Sequence, residues 1–482
     1  MNFNVKVFKA TKWSSITEIL AKLFSPISTI ILARLLTPEA FGVIATITMV
    51  VSFAEIFTDA GFQKYLIQHE FKTHKDLIKN TNVAFVSNMF FSILLCCFII
   101  IFRDLIAESL GNDKLGFAIA VSCVSIPLSA FSSIQTALFK RDFDFKTLFG
   151  SRVVSLIVPL MVTIPIALVY KNFWALIVGT ITLKLVNAIY LTLKSKWKPN
   201  LYYNFKILKQ MFSFTSWTIL ETIFIWLSSY AGILIVGLKL EEFYLGLYQT
   251  SITLVIQIIT IGVSAITPVL FSTLSRLQMN ENEFKRVFLL FQSAVALLVI
   301  PIGIILFSYN QFITLFFLGN QWGEAAGFVG LLGLTTAFTV VFSHLSSEVF
   351  RAKARPGLSL ILQLIFLLFF IPSISIAVNY GFETLYITHS LLQLVMVIVA
   401  LLIMYHIFKI SFIDMLRATA IKIIVAFLMF IISLVMSEVS SSFYWDGFSI
   451  VVCFLFYFGI LYSIKNEREF LFKLKAFFLK SI

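Results

Sequence analysis

The chain has 482 residues, with 37 Lys and Arg against 24 Asp and Glu, giving a formal net charge of +13. Hydrophobic residues make up 59% and charged residues 13%, about half the ~25% charged share of a soluble domain, and mean hydropathy is +0.97. A water-soluble globule of this size needs far more charge to cover its surface, which excludes a cytosolic enzyme and a secreted disulfide domain.

A membrane helix requires about 20 mostly apolar residues, and the chain supplies fourteen such stretches. In order they fall at 14–35, 41–62, 80–102, 115–138, 148–170, 173–194, 211–238, 244–270, 286–308, 323–349, 357–379, 384–408, 417–437 and 447–464. The reading is an all-α polytopic membrane protein. Lys and Arg collect in every second connection, from Lys6, Lys9 and Lys12 through Lys194, Lys196 and Lys198 to Arg417, Lys422 and the tail residues Lys465 and Lys473. Cytoplasmic loops carry that excess, so both termini are expected in the cytoplasm. The basic balance follows topology and gathers on no one domain, so anionic headgroups and not nucleic acid are its expected partners. Met1 to Trp13 is polar and basic, and no cleavable signal peptide is expected.

A shift of 204 residues brings Trp13 onto Trp217 and Gly42 onto Gly246, and sets one acidic, Gly-terminated hairpin against another. Six spans separate these points, so the halves run in the same direction through the membrane. The expected organisation is an N-lobe at 1–194 (spans one to six), a basic cytoplasmic linker at 195–210, a C-lobe at 211–408 (spans seven to twelve), and spans thirteen and fourteen with a basic tail at 409–482. Two parallel-repeat six-helix lobes suit alternating access.

Several strings carry a family resemblance: Leu32-Ala-Arg-Leu-Leu-Thr-Pro-Glu-Ala-Phe-Gly42, Thr58-Asp-Ala-Gly61, Phe139-Lys-Arg-Asp-Phe-Asp-Phe145, Phe173-Trp-Ala-Leu176, Trp197-Lys-Pro199, Gly246-Leu-Tyr248 and Pro268-Val-Leu-Phe-Ser-Thr-Leu-Ser275. Together they resemble the polysaccharide transporter family of Wzx-type, lipid-linked oligosaccharide flippases, within the multidrug/oligosaccharidyl-lipid/polysaccharide exporter superfamily. The resemblance implies fourteen helices around a partly cationic cavity. It implies a substrate of undecaprenyl-pyrophosphate carrying a short glycan, flipped across the bacterial plasma membrane for O-antigen, capsule or exopolysaccharide synthesis. The alternative is a cation-coupled multidrug exporter of the same superfamily. A membrane-embedded glycan enzyme is a weaker third, because no nucleophile elbow, phosphate-binding Gly-rich loop or zinc motif is present. No catalytic residue, metal site or cofactor is expected; polysaccharide polymerase machinery and membrane lipids are further candidate partners.

Ionisable residues inside spans are the candidates for transport chemistry, since each costs about 2.5–3.5 kcal/mol at the bilayer centre unless paired or hydrated. Lys184 stands mid-way along the sixth span, about 16 Å from either end at ~1.5 Å per residue, too far for a lysine to snorkel. It is a candidate cavity cation or half of a structural ion pair. Lys22 and Arg152 are the other candidate substrate cations. Glu18, four residues before Lys22, could neutralise it or take part in ion coupling. Glu55 and Asp59, again four apart, are a candidate coupling site, and Glu221 either couples an ion or forms a salt bridge. His344 and Glu348 share a helix face, and His389 reads as an interior histidine. The amides Gln257, Gln363 and Gln393 are expected to bond between helices. Cys96, Cys97, Cys123 and Cys453 lie in apolar runs without ligand spacing and read as small apolar residues.

Overall fold

The computed structural model describes residues 3–59, 61–264, 266–355, 357–440, 442–470 and 472. Within that range, the side chains of 3–12, 15, 18, 19, 23, 59, 213–218 and 268 lie outside the description. The described residues form helices joined by short turns, and the chain divides into two compact units, Met1–Gln249 and Thr250–Ile482.

The first unit runs α1 (Phe3–Leu35), α2 (Pro38–Asp59), α3 (Phe62–Gln68), α4 (His74–Ile101), α5 (Arg103–Ser109), α6 (Gly116–Ser122), α7 (Ser125–Arg141), α8 (Phe145–Tyr170), α9 (Trp174–Lys194) and α10 (Phe205–Lys239). Helix α11 (Glu242–Val263) passes from it into the second unit. There follow α12 (Ile266–Arg276), α13 (Glu281–Ser308), α14 (Asn310–Phe317), α15 (Ala326–Thr339), α16 (Leu345–Ala352), α17 (Gly357–Ala377), α18 (Phe382–Phe408), α19 (Phe412–Val439) and α20 (Phe443–Ser463). Among the described residues thirteen helical stretches are long and apolar enough to cross a membrane, and they coincide with predicted spans two to fourteen. The first predicted span falls on α1. The chain is an all-α, polytopic membrane protein.

Three predicted spans are less uniform than their hydropathy. The fourth is broken into α6 and α7 at Cys123 and Val124. The eighth ends at Val263, and α12 begins afresh at Ile266. The tenth contains a π-helical turn, Val340–His344, between α15 and α16. A π turn lets one carbonyl out of the i→i−4 ladder, and Gln292 on α13 supplies a substitute donor, its Nε2 lying 3.3 Å from the Val341 carbonyl. Prolines 26, 159, 165, 301 and 372 sit inside continuous helices.

Several of the family-like strings are fastenings of the first unit. Arg141 donates to the carbonyls of Leu66 at 2.7 Å and His69 at 2.8 Å, covering the open C-terminal end of α3, while its guanidinium lies 4.7 Å from the Phe71 ring centre. Phe143 takes a left-handed φ of 60° in the turn that follows, and Asp144 caps α8 through the Thr147 amide. Trp197 donates to Asn82 at 2.9 Å, and Ser195 to the Trp197 carbonyl, which seats the segment after α9 on α4.

Gly42 and Gly246, the pair matched by the sequence repeat, lie against each other. A methyl group on Gly246 would overlap the Pro38 carbonyl and stand 3.1 Å from the Gly42 amide nitrogen, and one on Gly42 would overlap the Glu242 carbonyl. Both obstacles are backbone, so neither can turn aside. Gly246→Ala is therefore expected to lower the melting temperature and the membrane level of the protein, at an overpacking cost of about 1–3 kcal/mol; a thermal melt in detergent checks it, and unchanged melting would refute the close approach.

In the second unit α13 is the central helix, with most of its residues buried against α15 and α19. Gly303 and Gly333 allow α13 and α15 to approach closely, as small residues do between membrane helices. Lys285 and Asp414 pair at 2.6 Å between the first turns of α13 and α19. Lys422, which the sequence groups with the basic residues of a cytoplasmic connection, is not free for headgroups: it lies in the first turns of span thirteen, is 3% exposed and pairs with Glu467 at 2.6 Å, beyond the end of α20. The Phe470 ring lies 4.8 Å from the same ammonium.

Candidate functional site

A polar cavity of about 520 Å³ opens within the first unit, between α2, α3, α7, α8, α9 and α10. The space is polar because each surrounding helix turns polar side chains toward it. Helix α7 contributes Ser129, Ser132, Ser133 and Thr136, three or four residues apart and hence on one face. Helix α2 adds Ser52, Glu55 and Thr58; α9 adds Lys184 and Asn187; α8 adds Arg152; α3 adds Gln63 and Lys64; and α10 adds Thr222. Three cations thus share the cavity with one described carboxylate.

Lys184 is held there by Glu55. Its Nζ lies 2.8 Å from Glu55 Oε1, and the Ser129 hydroxyl donates to the same oxygen at 2.6 Å. The two charged side chains are 28% and 27% exposed, enough to meet a solute and too little to be fully hydrated. A second space of about 90 Å³ continues on the far side of the pair, sharing Ser52, Glu55 and Lys184 and bounded by Thr48, Ser122 and Ser125. The Glu55–Lys184 bridge therefore borders both spaces.

Ser129 donates to Glu55, and the other lining hydroxyls of α7 are back-bonded to their own helix: Ser132 donates to the Ser129 carbonyl at 3.1 Å, Ser133, which also accepts from the Asn88 amide at 2.8 Å, to that of Ala130 at 3.0 Å, and Thr136 to that of Ser132 at 2.9 Å. Their protons are thereby committed, and toward the cavity they offer lone pairs. Asn187 is fixed by the Ser151 hydroxyl at 2.6 Å, and Ser52 by the Trp226 indole at 3.0 Å. Donors to an anion come from Lys64, Arg152 and Lys184; acceptors for hydroxylated groups come from α7.

The structure brings together three of the residues singled out in the sequence, Lys184, Arg152 and Glu55. Glu55 pairs across helices with Lys184, whereas the sequence set it beside Asp59, whose side chain lies outside the described residues. Glu221 stands near the cavity between Ile219 and Thr222 and lies 3.9 Å from Lys64, both about half exposed. Lys22 on α1 does not line the cavity and makes no ion pair with a described residue; the side chain of its helix neighbour Glu18 lies outside the description. In the second unit Glu348 is bound by Arg351 on the next turn of α16, not by His344. His389 is packed against the rings of Phe328 and Phe370, and Gln393 accepts a hydrogen bond from Thr336 at 3.0 Å.

Sequence reasoning missed Lys64 and the hydroxyl face of α7. The second carried a signal, since Ser125, Ser129, Ser132, Ser133 and Thr136 recur at helical spacing through an otherwise apolar span.

The sequence model of a family described as polysaccharide biosynthesis protein matches residues 31–327. The chain is 23% identical over 380 residues to an uncharacterized membrane protein in the cps region of Klebsiella pneumoniae, covering 77% of this chain and 76% of that protein. It is 22% identical over 409 residues to the lipopolysaccharide biosynthesis protein WzxC of Escherichia coli (strain K12), covering 82% and 81%. Among solved structures, the lipid II flippase MurJ in an inward closed conformation is similar in fold, with a TM-score of 0.77 at 14% identity, covering 93% of this chain and 98% of that one.

Proposed function

The chain belongs to the polysaccharide biosynthesis protein family, and from that premise we propose that it is a flippase for an undecaprenyl-pyrophosphate-linked oligosaccharide in the bacterial plasma membrane. The glycan serves surface polysaccharide synthesis, and the polyprenyl chain stays in lipid while the diphosphate and sugars cross through protein. In this reading the two six-span lobes alternate access, both termini are cytoplasmic, and the protein moves its substrate without altering a covalent bond. A lipopolysaccharide biosynthesis protein among the relatives and a lipid flippase among the structures of the same fold support it.

The observation that carries the proposal is the cavity at Lys184. Moving a diphosphate and sugars through hydrocarbon requires fixed cations and hydrogen-bonding groups at membrane depth. The cavity supplies cations at Lys184, Arg152 and Lys64, and lone pairs along α7. A drug exporter of the same superfamily handles more apolar cargo, for which a wall of back-bonded hydroxyls has little use.

Depletion of the protein, followed by mass spectrometry of the polyprenyl-pyrophosphate lipid pool and labelling from the outer side, tests this. Accumulation of one oligosaccharide lipid, protected from the label, is the expected result and names the cargo. An unchanged pool in a strain without a redundant flippase would move the assignment to cation-coupled multidrug export.

A further inference from the structure

Lys184 is the one cation of the cavity lining that is tied to a carboxylate of the same lining, among the described residues. We propose that Glu55 is an internal counter-ion that trades places on Lys184 with an anionic phosphate group of the substrate. The carboxylate holds the ammonium when the cavity is empty, yields it to the incoming diphosphate, and retakes it as the substrate leaves. This rests on the flippase reading above and assigns Glu55 a positioning role within it.

Three observations carry the exchange. One carboxylate oxygen receives both Lys184, at 2.8 Å, and the Ser129 hydroxyl, at 2.6 Å. The ammonium is a three-donor point charge on a flexible stem, so it can change partner without leaving its helix. A diphosphate also carries more charge than a carboxylate and takes the ammonium from it. Second, the smaller space of about 90 Å³ shares Ser52, Glu55 and Lys184 with the main cavity, so the carboxylate has room to turn there among Thr48, Thr180 and the surrounding isoleucines while staying near the ammonium. Third, the other two cations of the described lining do not compete for it: Arg152 on α8 makes no ion pair with a described residue, and Lys64 on α3 lies 3.9 Å from Glu221 on α10.

The energetic logic is that of any conducting site, where binding must be favourable enough to admit the solute and weak enough to release it. An unpaired ammonium at this depth is costly, and one that held a diphosphate without a rival would release it slowly. A carboxylate fixed in the wall meets both requirements, because it neutralises the resting lysine and competes with the bound anion.

Titration calorimetry of inorganic pyrophosphate into the detergent-purified full-length protein tests the proposal. Glu55→Gln is expected to bind pyrophosphate about tenfold more tightly than wild type, about 1.4 kcal/mol. Lys184→Ala should lose the binding. Glu55→Asp keeps the charge on a shorter side chain and should bind with intermediate affinity, so it gives the answer if the glutamine variant is not recovered folded. Damage to the fold would weaken binding, whereas removal of a rival anion strengthens it. Lys184-dependent binding that Glu55→Gln leaves unchanged or weakens would overturn the counter-ion role alone. No binding by wild type would overturn it together with the diphosphate site, a failure that the lipid-pool measurement reports separately. Repeating the titration in phosphatidylcholine nanodiscs with and without phosphatidylglycerol separates two sources of phosphate: loss of pyrophosphate binding with phosphatidylglycerol present would assign the site to a lipid headgroup and overturn the proposal.

Discussion

Lys184→Ala is expected to abolish transport, read as the return of the oligosaccharide lipid to the inner leaflet pool in a depleted strain complemented with the variant. The lysine is central to α9 and its ammonium lies 2.8 Å from Glu55, so its removal takes away the cavity's mid-membrane cation and strands a carboxylate. Breaking a buried ion pair from one side costs about 3–5 kcal/mol when both groups are fully buried; at 28% and 27% exposure the cost here is smaller. Two further variants separate chemistry from stability. Lys184→Met with Glu55→Gln removes both charges and should restore the protein level without restoring transport. Lys184→Arg keeps a cation at the site and should retain part of the activity. A fully active Lys184→Ala protein would remove Lys184 from the substrate path.

Lys422→Met is expected to cause the largest loss of stability. Lys422 and Glu467 are 3% and 6% exposed and their charged atoms are 2.6 Å apart. Substitution leaves Glu467 without its partner and enclosed between α19 and the segment that follows α20, a loss of about 3–5 kcal/mol. The measurement is a thermal melt in detergent together with the membrane level. Because a buried pair can often be replaced by apolar residues at little net cost, Lys422→Met with Glu467→Leu should recover most of the lost stability. A double variant no better than the single one would show that the pair does more than neutralise itself.

These two lysines mark what could be read from the sequence. Lys184 was visible because it stands alone in an apolar span and no reach of its side chain explains it. Its partner was not, since Glu55 lies 129 residues away and only helix neighbours four apart can be paired by inspection; hence Glu55 was set beside Asp59. Lys422 was misplaced for the opposite reason, as a lysine near a span end has a ready explanation in headgroup attraction, and only tertiary packing reveals Glu467. The spans themselves were legible from hydropathy, whereas the break at Cys123, the end of α11 at Val263 and the π turn at Val340–His344 were not. A window average registers apolar content and is blind to a single displaced hydrogen bond.

The back-bonded hydroxyls of α7 bear on which glycans such a protein can carry. A wall that both donates and accepts at fixed points reads a sugar as a lock reads a key, since one inverted carbinol leaves a donor facing a donor. Ser132, Ser133 and Thr136 have already turned their protons inward to carbonyls, and what remains is a row of oxygens, Ser133's shared with the Asn88 amide, able to take a proton from a hydroxyl at a broad range of angles. Such a surface answers to the density of hydroxyl groups more than to their configuration. Discrimination among saccharides then falls to the groups of the lining that still donate, Lys64, Arg152, Lys184 and the amides of Gln63 and Asn187.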